Sequence, residues 1–194
     1  MPLRPLSDHR AVLALGSNLG ESESTIERAV VDLREAGMRI LRVSPLYRTA
    51  PVGGPAGQPD YVNAVIEVST SLRPYELLKL CNAVEAAHHR ERLVRWGPRT
   101  LDIDVIDYEG VVSDDPVLTL PHPRAHERSF VLTPWARMDP EAHLLVARSD
   151  ESSGAVNHVP VSVAELSRDL NLTHEDAGED AIRYMREMNL PGAL

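Results

Sequence analysis

Met38-Arg-Ile-Leu-Arg-Val-Ser-Pro-Leu-Tyr47 and Tyr61-Val-Asn-Ala-Val-Ile-Glu-Val-Ser69 decide the fold. Both stretches are rich in β-branched and aromatic residues, so both predict strands. Between them, residues 49–59 hold Pro51, Gly53, Gly54, Pro55, Gly57 and Pro59. No regular element survives that composition, so the connection is a long loop, and long loops in compact domains are often functional. A doubly wound parallel sheet needs a helix between consecutive strands, whereas two strands joined by a loop can pair antiparallel.

The flanks follow the same grammar. Residues 11–15 form a short apolar run that enters Gly16-Ser17-Asn18, a buried strand leading into a loop. Residues 21–36 place Ile26, Ala29, Val30 and Leu33 at helical spacing, and Gly37 is the stop. Pro74 opens a second helix that runs to about His88, with Leu77, Leu78, Cys81 and Val84 inward. Residues 100–108 form a further strand, and residues 111–120 add one or two short ones. Residues 125–138 are expected to be partly helical, interrupted near Pro134. A weaker helix starts near Val163, and residues 181–188 of the tail suit one amphipathic helix. The order βαββαβ predicts an α+β fold: a ferredoxin-like core, an antiparallel sheet with helices packed on it, plus a C-terminal extension. Residues 1–172 are expected to form a single domain and residues 173–194 an acidic tail.

Composition narrows the function. The chain has 194 residues and a formal net charge of -9, which argues against a general nucleic-acid binder. Cys81 is the single cysteine and forms no intrachain disulfide, consistent with a reducing compartment. The N-terminus has no apolar signal core, and no run reaches membrane-spanning length, so the expectation is a soluble cytoplasmic protein.

Against this acidic background stands a basic island, Arg90-Glu-Arg-Leu-Val-Arg-Trp-Gly-Pro-Arg99, followed by Thr-Leu-Asp102-Ile-Asp104. Arg90, Arg92, Arg95 and Arg99 offer fixed charge and bidentate phosphate contacts. In a strand, Asp102 and Asp104 point to one face, roughly 6.6 Å apart along the chain. That pair can share one Mg²⁺ or hold two against a polyphosphate, since Mg²⁺ prefers oxygen ligands and keeps waters. Asp107 has the opposite parity and is not expected to join them. The combination describes a site for Mg-ATP. Arg99, after Gly97-Pro98, enters the strand rigidly near the metals, and Arg90 and Arg92 sit where a loop could close over phosphates. Trp96 either packs beneath that loop or faces a planar ligand. His122 and His126 lie four apart, but no third zinc ligand is evident, and His122 beside Arg124 and Arg128 reads better as a phosphate contact. Tyr61 and Asn63 share one strand face and suit a flat heterocycle, the ring by stacking and the amide by hydrogen bonds. Gly16-Ser-Asn-Leu-Gly20 lacks the Gly-Lys-Ser/Thr ending of a phosphate loop and reads as a turn and helix entry.

The motifs Leu15-Gly-Ser-Asn-Leu-Gly20, Tyr47-Arg-Thr49, Gln58-Pro-Asp-Tyr-Val-Asn63, Arg95-Trp-Gly-Pro-Arg-Thr-Leu-Asp-Ile-Asp104 and Leu120-Pro-His-Pro123 occur in that order. In this the chain resembles the 6-hydroxymethyl-7,8-dihydropterin pyrophosphokinases of folate biosynthesis, over residues 11–145. The resemblance implies transfer of pyrophosphate from ATP to the pterin hydroxymethyl group, with release of AMP. It implies two Mg²⁺ ions on Asp102 and Asp104, and Arg90 and Arg99 acting on the phosphates. It places Asn82, Glu85, Arg92, Trp96, His122 and Arg128 at the nucleotide. Tyr61 and Phe130 would sandwich the pterin, with Asn63 and the backbone of Thr49, Ala50 and Val52 reading its edges. The small-molecule partners are then ATP and a hydroxymethyl dihydropterin, with no nucleic acid and no membrane, and the chain is expected to be a monomer. The 49–59 and 90–96 loops would close over the substrates. Ala50 stands where the family often has proline, the 90–96 stretch is one residue shorter, and the tail beyond Asn171 has no family counterpart. Another Mg-nucleotide phosphotransferase and a non-catalytic nucleotide- or RNA-binding module are the alternatives.

Overall fold

Alternating side chains on β1 (His9–Ser17) set up both layers of the molecule. Ala11, Leu13 and Leu15 point to one face, and Val12 and Ala14 to the other. The computed structural model describes residues 8–51, 57–88, 100–150, 154–174 and 182–191. After β1 come α1 (Ser22–Glu35), β2 (Arg39–Val43), β3 (Leu46–Thr49), β4 (Tyr61–Thr70), α2 (Pro74–Ala87) and β5 (Asp102–Tyr108). The strands β3, β4, β1 and β5 lie side by side, with β2 also on β4, and every pairing is antiparallel. This is the expected βαββαβ core.

The first face carries both core helices. Ile26, Ala29, Val30 and Leu33 of α1 and Leu77, Cys81 and Val84 of α2 pack on Leu13, Leu15, Ala64, Ile66, Ile103 and Val105. Gly37, at φ 97, ends α1, because a left-handed turn there costs glycine little. At the start of α2, Glu76 reaches back to accept the Arg73 N–H at 2.8 Å.

The second face is covered only in part. α3 (Ser129–Met138) lays Val131, Leu132 and Trp135 against Val12, Val65 and Ile106. Behind it stand a hairpin, β8 (His143–Ser149) and β9 (Val156–Ser162), and α4 (Val163–His174). A small hairpin of β6 (Ser113–Asp115) and β7 (Leu118–Leu120) precedes them.

Three expectations need correction. Residues 38–47 form two strands, because Pro45 has no N–H for the ladder; the Ser44 side chain instead accepts the Val65 N–H at 2.9 Å. Helix α3 runs through Pro134 uninterrupted. In the tail, residues 183–186 form a strand, β10 (Arg183–Arg186), paired with β3, instead of part of a helix. Sheet pairing there overrides the amphipathic pattern. Helix α4 runs across residues 172 and 173. The β8–β9 hairpin had no clear signal, because its strands are largely exposed and Pro160 interrupts the pattern.

Candidate active site

Register across three strands builds the site. Gly16 on β1 stands opposite Asn63 on β4 and opposite Asp102 on β5. One row therefore runs Asn63–Gly16–Asp102 across the second face, the face without α1 and α2. Two strand spacings put its ends about 10 Å apart. The next row places Ala14 opposite Asp104. The middle of the site is floored by residues with little or no side chain. A Cβ on Gly16 would meet Asn63 Oδ1 at 3.2 Å and Tyr61 Cδ1 at 3.8 Å.

On the β4 side, Asn63 is buried and donates from Nδ2 to Thr49 Oγ1 at 2.9 Å, which fixes its amide plane. Tyr61 is partly exposed beside it, and Ala50 follows at the end of β3. Asn18 donates to Pro59 O at 3.2 Å and to Gln58 Oε1 at 3.4 Å, tying the loop after β1 to the segment that enters β4. The reading of residues 16–20 as a turn and helix entry thus holds, but it missed this tether, for which the sequence carries no local signal.

On the β5 side, Asp102 and Asp104 are both half-buried and share the face. Arg128, just before α3, donates from Nη1 to Asp104 Oδ2 at 3.1 Å. Its guanidinium carbon also lies 5.4 Å from the Phe130 ring centroid. One arginine thus links a carboxylate to the only phenylalanine. His122 Nε2 stands 3.9 Å from the same Asp104 oxygen. The Arg124 N–H donates to His122 Nδ1 at 3.2 Å, so a neutral ring carries its proton on Nε2, toward Asp104. Burial pulls the His122 pKa below its ordinary value; Asp104 opposes this and Arg128 reinforces it.

Glu85 and Asn82 sit on α2, across the sheet from that row. Asn82 is exposed. Glu85 is buried, and its Oε1 accepts the Ile103 N–H at 2.7 Å. Among the described residues strand β5 closes that edge of the sheet, so no described strand bonds this amide. Glu85 therefore braces the residue between the two aspartates. Arg90, Arg92, Arg95, Trp96, Arg99 and Val52 lie outside the described residues.

Asp107 shows where parity reasoning fails. A bulge between Val12 and Leu13 shifts the register, so Asp107 pairs with Val12 and turns to the second face. It still does not join Asp102 and Asp104, because it lies at the far end of β5. There it lines a cleft of about 230 Å³ with Arg10, Glu67, Trp135 and Asp139.

The donor set fits a hard cation. Among the described residues no group of three or more His, Cys, Asp and Glu side chains could hold a metal. Two carboxylates on one face suit Mg²⁺, which takes its remaining oxygens from water and a phosphate substrate.

The family model described as 7,8-dihydro-6-hydroxymethylpterin-pyrophosphokinase (HPPK) matches residues 12–140. A Methylorubrum extorquens protein named 2-amino-4-hydroxy-6-hydroxymethyldihydropteridine pyrophosphokinase is 44% identical over 133 residues, 68% of this chain and 84% of that protein. The protein of the same name from Mycobacterium bovis is 38% identical over 187 residues, 91% of this chain and 90% of its own. A match over 91% of this chain reaches past Asn171, so at least the start of the tail has a counterpart. Among solved structures, Plasmodium falciparum HPPK-DHPS with pteroate superposes with a TM-score of 0.64 at 14% identity. That match covers 95% of this chain, which spans 50% of the Plasmodium chain, and it speaks for the fold alone. Among the described residues no helix is long and apolar enough to cross a membrane.

Proposed function

The chain belongs to the 7,8-dihydro-6-hydroxymethylpterin-pyrophosphokinase family, and from that premise we propose that it transfers pyrophosphate from ATP to 6-hydroxymethyl-7,8-dihydropterin in folate biosynthesis. The pterin hydroxyl oxygen attacks the β-phosphorus of ATP. The bond from that phosphorus to the α,β-bridging oxygen breaks, AMP leaves with the bridging oxygen, and the hydroxyl proton passes to solvent. What supports the reading is the row Asn63–Gly16–Asp102, which sets an amide suited to a heterocycle edge and a carboxylate suited to a cation on one face of the sheet.

Each residue then has a task. Asn63, its amide fixed by Thr49, reads the pterin edge together with the backbone of Thr49, Ala50 and Val52. Tyr61 and Phe130 hold the ring from its two sides. Asp102 and Asp104 hold two Mg²⁺ ions, which neutralise phosphate charge when bound. Arg128 keeps the Asp104 carboxylate oriented, and Arg128 and His122 stand ready to contact phosphate. Arg90 and Arg99 stabilise charge that develops during transfer, with Arg92, Trp96 and Asn82 on the nucleotide side and Glu85 serving it through the Ile103 N–H. Catalysis is then chiefly positioning and electrostatics. The protein works as a cytoplasmic monomer in this reading, and a dimer in sedimentation analysis would correct that part.

Incubation with ATP, Mg²⁺ and the hydroxymethyl dihydropterin should yield AMP and the pterin diphosphate by mass analysis. Appearance of ADP and a pterin monophosphate would replace this reading with simple phosphoryl transfer. Absence of any pterin product would remove it.

A further inference from the structure

Strand β10 occupies an unexpected place. It adds to the free edge of β3, with Arg183 opposite Arg48, Tyr184 opposite Tyr47 and, after a bulge, Arg186 opposite Leu46. One residue past Arg48 is Thr49, the partner of Asn63. The Tyr184 ring meets the Tyr47 ring edge-on at 6.0 Å, and Tyr47 is itself opposite Asn63. The tail thus extends the row that holds the amide.

The same short segment is fastened to α1. Arg186 donates from Nε to Glu23 at 2.8 Å and from Nη1 to Glu27 at 2.7 Å. The Asn189 N–H donates to Glu27 at 2.7 Å, and Arg34 donates to Pro191 O at 2.9 Å. Burial alone would raise the Glu27 pKa, but the bonds from Arg186 and Asn189 outweigh it and hold this carboxylate below its ordinary value. Met185, Met188 and Leu190 pack onto the core beneath α1. Helix α1 in turn begins four residues after Asn18, which is bonded to Pro59.

These contacts close a ring: β3, β10, α1, the 18–20 turn, and Pro59. Both bases of the connection between β3 and β4 are members of it. Residues held from two sides by separate elements lose conformers that would otherwise be populated. We propose that the C-terminal strand is a positioning element for pterin binding, holding Thr49 and Asn63 in their bound arrangement through β3 and α1. The inference rests on the assignment of those two residues to the pterin.

The test uses the full chain with Arg186→Glu, which sets a third carboxylate against Glu23 and Glu27. Hydrogen exchange should rise at least about tenfold at residues 46–49 and stay unchanged at residues 102–108. Pterin affinity, read by pterin fluorescence in the absence of ATP, should fall at least about fivefold, while affinity for a non-hydrolysable ATP analogue stays within about twofold. The double variant E27R/R186E, which restores an opposite-charge pair, should recover most of the pterin affinity. Unchanged exchange at 46–49 in R186E overturns the inference. So does faster exchange there with wild-type pterin affinity, or an equal loss of pterin and nucleotide affinity. If R186E does not fold, R186Q carries the same comparison. A wild-type chain that forms no pterin product from ATP would instead overturn the proposed function, so the two failures are distinct.

Discussion

Glu85→Ala should loosen the strand that carries Asp102 and Asp104. The wild-type carboxylate is buried and accepts the Ile103 N–H at 2.7 Å, at the edge of the sheet formed by the described strands. Removing the acceptor leaves that amide unpaired inside the protein, which costs about 1–3 kcal/mol. The truncated side chain adds a small cavity, so the loss belongs near the upper end of that range. Glu85→Gln keeps an oxygen at the same reach toward Ile103, and this bond loses its charge assistance, about half its strength. It should therefore cost about 1 kcal/mol or less. Urea unfolding of the two variants gives the difference, and amide exchange localises it. Ile103 should lose protection in Glu85→Ala and largely keep it in Glu85→Gln. Ile103 protected equally in wild type and Glu85→Ala would refute the bracing argument. A nucleotide contact made through the carboxylate has another signature: Glu85→Gln would lose nucleotide affinity with stability unmoved.

The remaining predictions concern the floor of the site, its aspartates and two buried groups. Gly16→Ala places a methyl 3.2 Å from Asn63 Oδ1, so pterin affinity should drop about tenfold with a much smaller change in melting temperature; unchanged pterin affinity would show that Asn63 has room to yield. Asp102→Ala or Asp104→Ala should remove most turnover while the fold persists by circular dichroism, and wild-type turnover in either would end the metal assignment. Burial raises the Asp107 pKa above 3.8, with Glu109 adding to it against backbone hydrogen bonds from Gly110 and Tyr108. A carboxyl raised on folding contributes stability only at pH below its unfolded value, and that contribution is lost as pH rises through the folded value. Asp107→Asn should therefore raise the melting temperature at neutral pH, and the advantage should vanish near pH 3; an advantage that persists there would contradict this. Burial, with Glu85 adding to it, pushes the Cys81 thiol up to about 12, so a thiol reagent at pH 8 should modify it only in denaturant.

The sequence by itself determined everything that depends on short-range periodicity. Alternation put Asp102 and Asp104 on one face, the helical spacing of α1 and α2 turned their apolar residues to the sheet, and the Pro- and Gly-rich run forced a loop between β3 and β4. The ordered motifs carried the family. Tertiary structure alone decided what depends on register and docking. It set Asn63, Gly16 and Asp102 in one row, brought Arg128 to Asp104 from 24 residues away, and aimed Glu85 at Ile103. A single bulge turned Asp107 to the face that its parity denied, and an open edge on β3 made a strand of tail residues whose local pattern favoured a helix. The reason is range. Backbone stereochemistry repeats every two or 3.6 residues and is written locally, whereas pairing partners are chosen by the energy of the whole packed molecule.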